Sequence, residues 1–94
     1  MTKVILQGSI EIPAACYEQV LMELPEHIRL TRQETGCLVF RVEPCSENRF
    51  RYSVYEEFSS PEAFATHQER VRQSTWGEVT KHVKRDYQVT EVSV

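Results

Sequence analysis

Residues 50–67 change their hydrophobic period from that of a strand to that of a helix, and this passage limits the fold most. Alternate residues of its first half share one side of a strand: Phe50, Tyr52, Val54, Glu56 and Phe58. The second half has helical spacing and places His67 on a face with Phe64 and Val71. A carboxylate and an imidazole therefore lie on otherwise apolar faces that are expected to meet. Because unpaired polar groups there cost stability, this passage is the best candidate for a functional site.

The rest of the chain divides into segments of the same two kinds. Alternating residues predict strands at 3–11, 37–43, 49–58 and 87–94, and helical spacing predicts helices at 14–23, 26–33, about 60–73 and 76–82. Pro25 is expected to kink or break the first helix, since it lacks the N–H that continues one. The order βαββαβ predicts an α+β, ferredoxin-like fold, a four-stranded antiparallel sheet with helices on one face. We expect a single domain, 1–94.

Two local details follow from the same patterns. In the second strand, Leu38, Phe40 and Val42 are expected to share one side of the sheet. The helix after the third strand has two candidate caps. Ser59 with Glu62 matches a capping box, whereas Ser60 followed by Pro61 matches a cap and a first turn. The sequence alone leaves both open.

Composition argues against several classes of function. The net charge is −3, with 11 basic and 14 acidic residues mixed along the chain, so we expect no nucleic-acid partner. No apolar run approaches the roughly 20 residues of a membrane span, and the N-terminal residues lack a secretory signal. Three cysteines, an odd number without a CxxC pair, indicate free thiols and a cytoplasmic location. No His or Cys pair has zinc spacing, so no metal site is expected.

The second face of the predicted sheet is more apolar than a free surface requires. It carries Ile5, Cys37, Val39 and Tyr55 among polar residues. Pairing with a second copy, sheet on sheet, would cover this patch and predicts a homodimer. A solvent face with scattered apolar residues is the alternative.

Several segments together resemble the antibiotic biosynthesis monooxygenase (ABM) domain family, which includes small quinol monooxygenases that need no cofactor. The segments are 8–13, 24–32, 34–40, 55–58, 62–68 and 74–77, in order and at matching spacing. The resemblance implies a dimeric α/β barrel with a pocket between the sheet and the helices of each subunit. It also implies a small aromatic substrate, O₂ as oxidant and no cofactor.

The resemblance places the helix histidine of the family at His67 and its strand glutamate at Glu56. His67 is then a candidate general base for a phenolic hydroxyl, with Glu56 orienting it or binding the substrate. A buried pair that serves only the fold is the alternative for both. Phe58 stands where the family often has tryptophan or tyrosine.

Further residues are candidates for substrate binding. Four aromatic side chains suit a slot for a flat ring, and they suit a core equally well: Tyr52, Phe58, Phe64 and Trp76. Arg72 is expected to stack on Trp76 if the helix continues, or else to be a solvated charge. His27, next to the expected kink, is a weaker candidate for proton transfer.

Two rivals to the monooxygenase remain. One is a non-enzymatic dimer of the same fold that binds a small hydrophobic metabolite. The other is a haem-binding protein, with or without haem degradation. Haem-degrading relatives have an asparagine on the first strand and a tryptophan near the end of the third. This chain has only Asn48, in a predicted turn, and Trp76, elsewhere, which disfavours haem degradation.

Overall fold

The computed structural model describes the whole chain, residues 1–94, and contains four strands and three helices. The strands are β1 (Thr2–Glu11), β2 (Cys37–Cys45), β3 (Asn48–Phe58) and β4 (Lys84–Ser93). The helices are α1 (Tyr17–Arg32), α2 (Pro61–Arg72) and α3 (Thr75–Val79), and a short 3-10 helix, Ala14–Cys16, precedes α1. Their order confirms the predicted α+β, ferredoxin-like βαββαβ arrangement.

The sheet is antiparallel throughout, with its strands in the order β2-β3-β1-β4. Along β1, Val4, Leu6 and Ile10 are buried, whereas the residues between them are more exposed. The register places Leu6 opposite Glu56 on β3. Glu56 therefore belongs to the buried side of the sheet, among the side chains that form the core.

The helix that covers this core does not break at Pro25. The expectation of a kink or break was wrong in so far as α1 is one continuous helix from Tyr17 to Arg32 with Pro25 inside it. Pro25 is exposed, so its ring lies on the solvent side, where a helix tolerates distortion best. The buried side chains of Val20, His27 and Thr31 hold both halves of α1 against the rest of the molecule.

A β-bulge changes the expected alternation of β2. The pairing with β3 shifts register between Cys37 and Val39, so Leu38 has no partner in the ladder and is 55% exposed. Leu38 was predicted to share one side of the sheet with Phe40. That prediction was wrong, because Phe40 is buried and Leu38 is exposed. A bulge adds one residue to a strand, and periodicity alone does not predict its position.

The last part of the chain leaves one edge of the sheet uncovered. Helix α3 ends at Val79 and β4 begins at Lys84, each three residues earlier than predicted. The helices pack mainly on β1, β2 and β3. Val89 on β4 pairs with the buried Leu6 and yet is 53% exposed.

Two further expectations concern the whole chain. None of the helices combines the length and the apolar character that a membrane crossing requires. The three cysteines, Cys16, Cys37 and Cys45, are free and partly buried.

The structure decides between the two candidate caps of α2. Ser60 is the N-cap residue, its hydroxyl accepts a hydrogen bond from the backbone N–H of Ala63 at 3.0 Å, and Pro61 fills the first turn. We predict that Ser60→Ala lowers the free energy of unfolding by about 1 kcal/mol, because that N–H loses its acceptor. Ser59→Ala is the matched control and should change it by less than about 0.5 kcal/mol. Urea denaturation measures both, and equal losses would contradict the assignment.

Candidate functional site

The structure brings His67 and Glu56 together beneath the helices. His67 lies on the inner face of α2 and is 3% exposed, and Glu56 lies on β3 and is 6% exposed. The Nε2 atom of His67 is 3.8 Å from Oε1 of Glu56. This separation is too long for a hydrogen bond, so the two groups face each other without being bonded. Strand and helix periods in the sequence were sufficient to predict this meeting.

A third ionisable residue, Glu34, binds the other nitrogen of the His67 ring. Its Oε1 is 2.9 Å from Nδ1 and its Oε2 is 3.2 Å away. The guanidinium of Arg70 on α2 donates to Oε2 of Glu34 and, at 2.9 Å, to the hydroxyl of Thr31. Sequence reasoning missed Glu34, because it lies in the turn between α1 and β2, where no periodicity assigns a side chain to a face.

The two carboxylates on either side of His67 have different electrostatic environments. Burial, together with the negative charge of Glu34, raises the pKa of Glu56 to about 7. Its Oε1 is buried and has no hydrogen-bond partner. Glu34 is instead compensated by Arg70. Burial lowers the pKa of His67, and the charge and hydrogen bond of Glu34 oppose that effect.

A pair of stacked rings, His27 and Trp76, lies beside this group. The rings are parallel within 6° and their centroids are 4.5 Å apart. The ring of His27 is 6.2 Å from that of His67. Burial, with the positive charges of His67, Arg70 and Arg85 as smaller causes, lowers the pKa of His27 to about 3, so this ring is neutral at physiological pH. Its Nδ1 is buried without a partner.

Apolar rings enclose His67 on the sheet side. Phe58 is fully buried, with its ring 4.9 Å from that of His67, and Phe64 packs on Phe58 at 5.6 Å. Phe40 on β2, which sequence reasoning did not include among the site residues, is 6.0 Å from His67. Tyr52 belongs to the hydrophobic core, four residues before Glu56 and about 13 Å away along the strand.

The structure places Arg72 away from the site. Its side chain is 69% exposed and forms a surface ion pair with Glu69. Helix α2 ends at Arg72, so the helical continuation that would have set it over Trp76 does not exist. Arg70, two residues earlier, is the arginine that turns inward.

A small cleft beside the site lies between α1 and the α2–α3 region. Its volume is about 180 Å³, and its lining includes His27, Leu30, Arg70, Ser74 and Trp76. His67 and Glu56 do not line this cleft. Both side chains are almost fully enclosed, at 3% and 6% exposure, so this cleft does not meet the expectation that they face an open pocket.

The structure is a small α+β domain that encloses a carboxylate–imidazole–carboxylate group. A comparison of the sequence with known families assigns the domain. Residues 3–79 match the family described as antibiotic biosynthesis monooxygenase. The chain belongs to this family. The family match covers β1 to α3 and so includes every residue of the group around His67. None of the curated proteins has a significant sequence match to this chain.

Solved structures share the fold of this ABM protein. A protein of unknown function from Bacteroides thetaiotaomicron has a TM-score of 0.80 at 15% identity, covering 97% of this chain and 98% of its own. A Nitrosomonas europaea protein, provisionally assigned to the same family, has a TM-score of 0.75 at 15% identity, with 100% and 98% covered. The MupZ protein from Pseudomonas fluorescens has a TM-score of 0.71 at 21% identity, with 94% and 69% covered. At these identities the likeness is one of fold.

The donor atoms of the site are arranged for proton transfer. No group of three or more His, Cys, Asp or Glu side chains is arranged so that it could hold a metal ion. The imidazole of His67 has one nitrogen bound by a compensated carboxylate and the other directed at a carboxyl group that titrates near neutrality. Such a group can take up and return a proton at physiological pH.

The raised pKa of Glu56 makes the stability of the ABM protein depend on pH. Between its unfolded value of 4.5 and its folded value of about 7, Glu56 binds more protons when the protein is folded. Stability from this residue is therefore complete below pH 4.5 and is lost as the pH rises through 7, by up to about 3 kcal/mol. We predict that Glu56→Gln removes this loss.

Urea denaturation from pH 5 to pH 8 measures the effect. The free energy of unfolding of Glu56→Gln should rise relative to that of the wild type as the pH increases, because other titrating groups cancel in the difference. The exposed Glu47 provides the control, Glu47→Gln, which should follow the wild type. A constant difference between wild type and Glu56→Gln would contradict the prediction.

Proposed function

We propose that this ABM protein is a monooxygenase that needs no cofactor and oxidises a small quinol or polyphenol with O₂. The observation that carries the proposal is the state of His67, whose Nδ1 is bound by Glu34 while Nε2 is left free to accept a proton. A phenolic hydroxyl is the group that such a base activates, because its anion is electron-rich enough to react with O₂. A cytoplasmic location, expected from the free thiols, is part of the proposal.

The overall reaction balances without an external reductant. A quinol reacts with one O₂ to give a hydroxyquinone and one water, so one oxygen atom enters the ring and the other leaves as water. The substrate supplies all four electrons. The chain would contribute binding, the removal of a hydroxyl proton by His67 and the exclusion of bulk water from the anion.

The substrate ring would enter through the cleft between α1 and the α2–α3 region. Trp76 and His27 are stacked at 4.5 Å, and a flat ring of similar size can replace one of them against the other. Once inside, the ring would contact Phe58 and Phe64 and present its hydroxyl to His67 and Glu56. Glu56, when protonated, can donate a hydrogen bond to the oxygen that carries the developing charge.

A homodimer is also part of the proposal. On the outer face of the sheet, Ile5, Val39 and Tyr55 are only half buried in a single chain. The same face has polar contacts, since the Tyr55 hydroxyl donates to Glu57 at 2.5 Å, and a groove of about 630 Å³ with mostly polar lining crosses it. A partner sheet would cover the apolar side chains and complete the α/β barrel.

A second function is favoured by one observation. His67 and Glu56 are almost completely enclosed, as expected of a buried pair that serves only the fold. The protein would then be a non-enzymatic dimer that binds a small hydrophobic metabolite. Haem binding is less favoured, because the carboxyl group of Glu56 lies 3.8 Å from Nε2 of His67, where it would collide with the porphyrin of a haem bound through this nitrogen.

Oxygen uptake with a panel of hydroquinones tests the enzymatic proposal. His67→Asn keeps an N–H donor for Glu34 but lacks the nitrogen that accepts the proton, so we predict a loss of activity of about 10²- to 10⁴-fold. The exposed His82 supplies the control, His82→Ala, which should retain wild-type uptake. Because His67 is buried, melting curves must establish that His67→Asn is folded. No uptake by the wild type, or full uptake by a folded His67→Asn, would favour the non-enzymatic protein.

Light scattering tests the dimer. The wild type at micromolar concentration should have twice the chain mass of 11.0 kDa. Val39→Glu should yield monomers, because it places a charge within the proposed interface. Met22→Glu is the matched control: Met22 is 79% exposed on α1, so the same change from apolar to acidic should leave the dimer intact. A monomeric wild type would exclude the dimer.

A further inference from the structure

The two flanking carboxylates make different contacts with His67. Both oxygens of Glu34 are within 3.2 Å of Nδ1, whereas the nearer approach of Glu56 to Nε2 is 3.8 Å. Only the first is a hydrogen-bond distance. The orientation of the ring in its plane is therefore set by Glu34 and not by Glu56.

The charge state of Glu34 decides which nitrogen of His67 carries the proton. Arg70 donates to Oε2 of Glu34, so the carboxylate that binds Nδ1 has a cationic partner. An ionised carboxylate only accepts hydrogen bonds, so Nδ1 must be the donor. In the neutral ring Nε2 then has the free lone pair.

The backbone keeps this carboxylate in place. The N–H of Glu34 donates to the carbonyl of Thr31 at 3.0 Å, and the carbonyl of Glu34 accepts from Cys37 N–H at 3.1 Å. Between them, Gly36 has a φ of +93°, a conformation that glycine adopts without strain. Arg70 also donates to the Thr31 hydroxyl, so the guanidinium joins the end of α1 to Glu34. The backbone of Glu34 is thus fixed by hydrogen bonds, and its carboxylate is fixed by Arg70.

We propose that Glu34 is a positioning residue for His67: its carboxylate fixes the proton on Nδ1 and leaves Nε2 as the nitrogen that accepts a proton from the substrate. In that step the O–H bond of the substrate breaks, its electron pair stays on oxygen, and the proton forms an N–H bond with Nε2. The imidazolium then lies against the negative charge of Glu34. The transfer of a proton from a substrate rests on the proposed function, whereas the position of the proton on Nδ1 of the neutral ring does not.

Four ionisable groups surround His67 and set how readily it takes this proton. Glu34, from the turn after α1, favours the charged ring, and Arg70 on α2 disfavours it. His27 on α1 is a neutral ring 6.2 Å away, and Glu56 on β3 faces Nε2. Glu34 is the only one hydrogen-bonded to the ring, so its removal should have the largest effect.

Nitrogen-15 NMR of the labelled protein tests the tautomer directly. Long-range ¹H–¹⁵N correlations distinguish a protonated Nδ1 from a protonated Nε2, and the His67→Asn spectrum assigns the signals of His67. We expect the Nδ1–H form in the neutral wild-type ring. In Glu34→Gln the proton affinity of His67 should fall at least about tenfold. A wild-type ring protonated on Nε2 would overturn the inference, as would an unchanged proton affinity in a folded Glu34→Gln.

Kinetics and a control separate this inference from the proposed function. Glu34→Gln should lower kcat for hydroquinone oxidation about 10- to 100-fold, with KM changed less than about twofold, because Glu34 contacts Nδ1 and the proposed substrate site is at Nε2. Glu34→Asp, which keeps the charge, should recover part of kcat. Glu69→Gln changes an exposed carboxylate on α2 and should leave both the tautomer and kcat as in the wild type.

The combined outcomes are distinguishable. If the wild type has the Nδ1–H form but consumes no oxygen with any hydroquinone, the positioning role stands and the monooxygenase fails. If a folded Glu34→Gln retains wild-type kcat, the positioning role fails and the monooxygenase stands. If Glu34→Gln does not fold, the wild-type tautomer alone decides the inference.

Discussion

The hydrogen bond between His67 and Glu34 stabilises a small core that contains an unusually large share of polar residues. Only 16 residues are buried, and five of them are polar: His27, Thr31, Glu56, His67 and Thr80. Such groups are tolerated inside a protein when partners satisfy them. Glu34 binds His67, and Arg70 binds Glu34 and Thr31, so one ionic chain connects α2 to the end of α1. This chain gives His67 on α2 and Thr31 on α1 the hydrogen-bond partners that their burial requires.

The same chain creates an asymmetry around one imidazole. Glu34 has a cationic partner, whereas Glu56 has an oxygen without any partner and a pKa raised to about 7. Two carboxyl groups in different environments are a common basis for dividing acid and base roles. In the proposed reaction, one carboxylate would stabilise the charged base and the other carboxyl group would donate a hydrogen bond to the substrate oxygen.

Periodicity predicted much of this protein and failed where contacts are not periodic. The alternation of β3 and the helical spacing of α2 were enough to predict that Glu56 and His67 meet. Glu34 was missed because periodicity does not predict the direction of a side chain in a turn, and because its partner His67 is 33 positions away. Leu38 was misplaced because a bulge interrupts the alternation of β2. The stack of His27 on Trp76 joins two distant segments, and only the packed structure decides such a pairing.

The two free edges of the sheet influence how copies of the chain meet. An unpaired strand edge can bind another strand and begin aggregation. The outer strand β4 has exposed charges at Lys84, Asp86 and Glu91, and β2 has Arg41 and Pro44 exposed at the opposite edge. Charges and proline make a poor template for an added strand. Edge-to-edge polymerisation into continuous sheets is therefore discouraged even though half of Val89 is exposed.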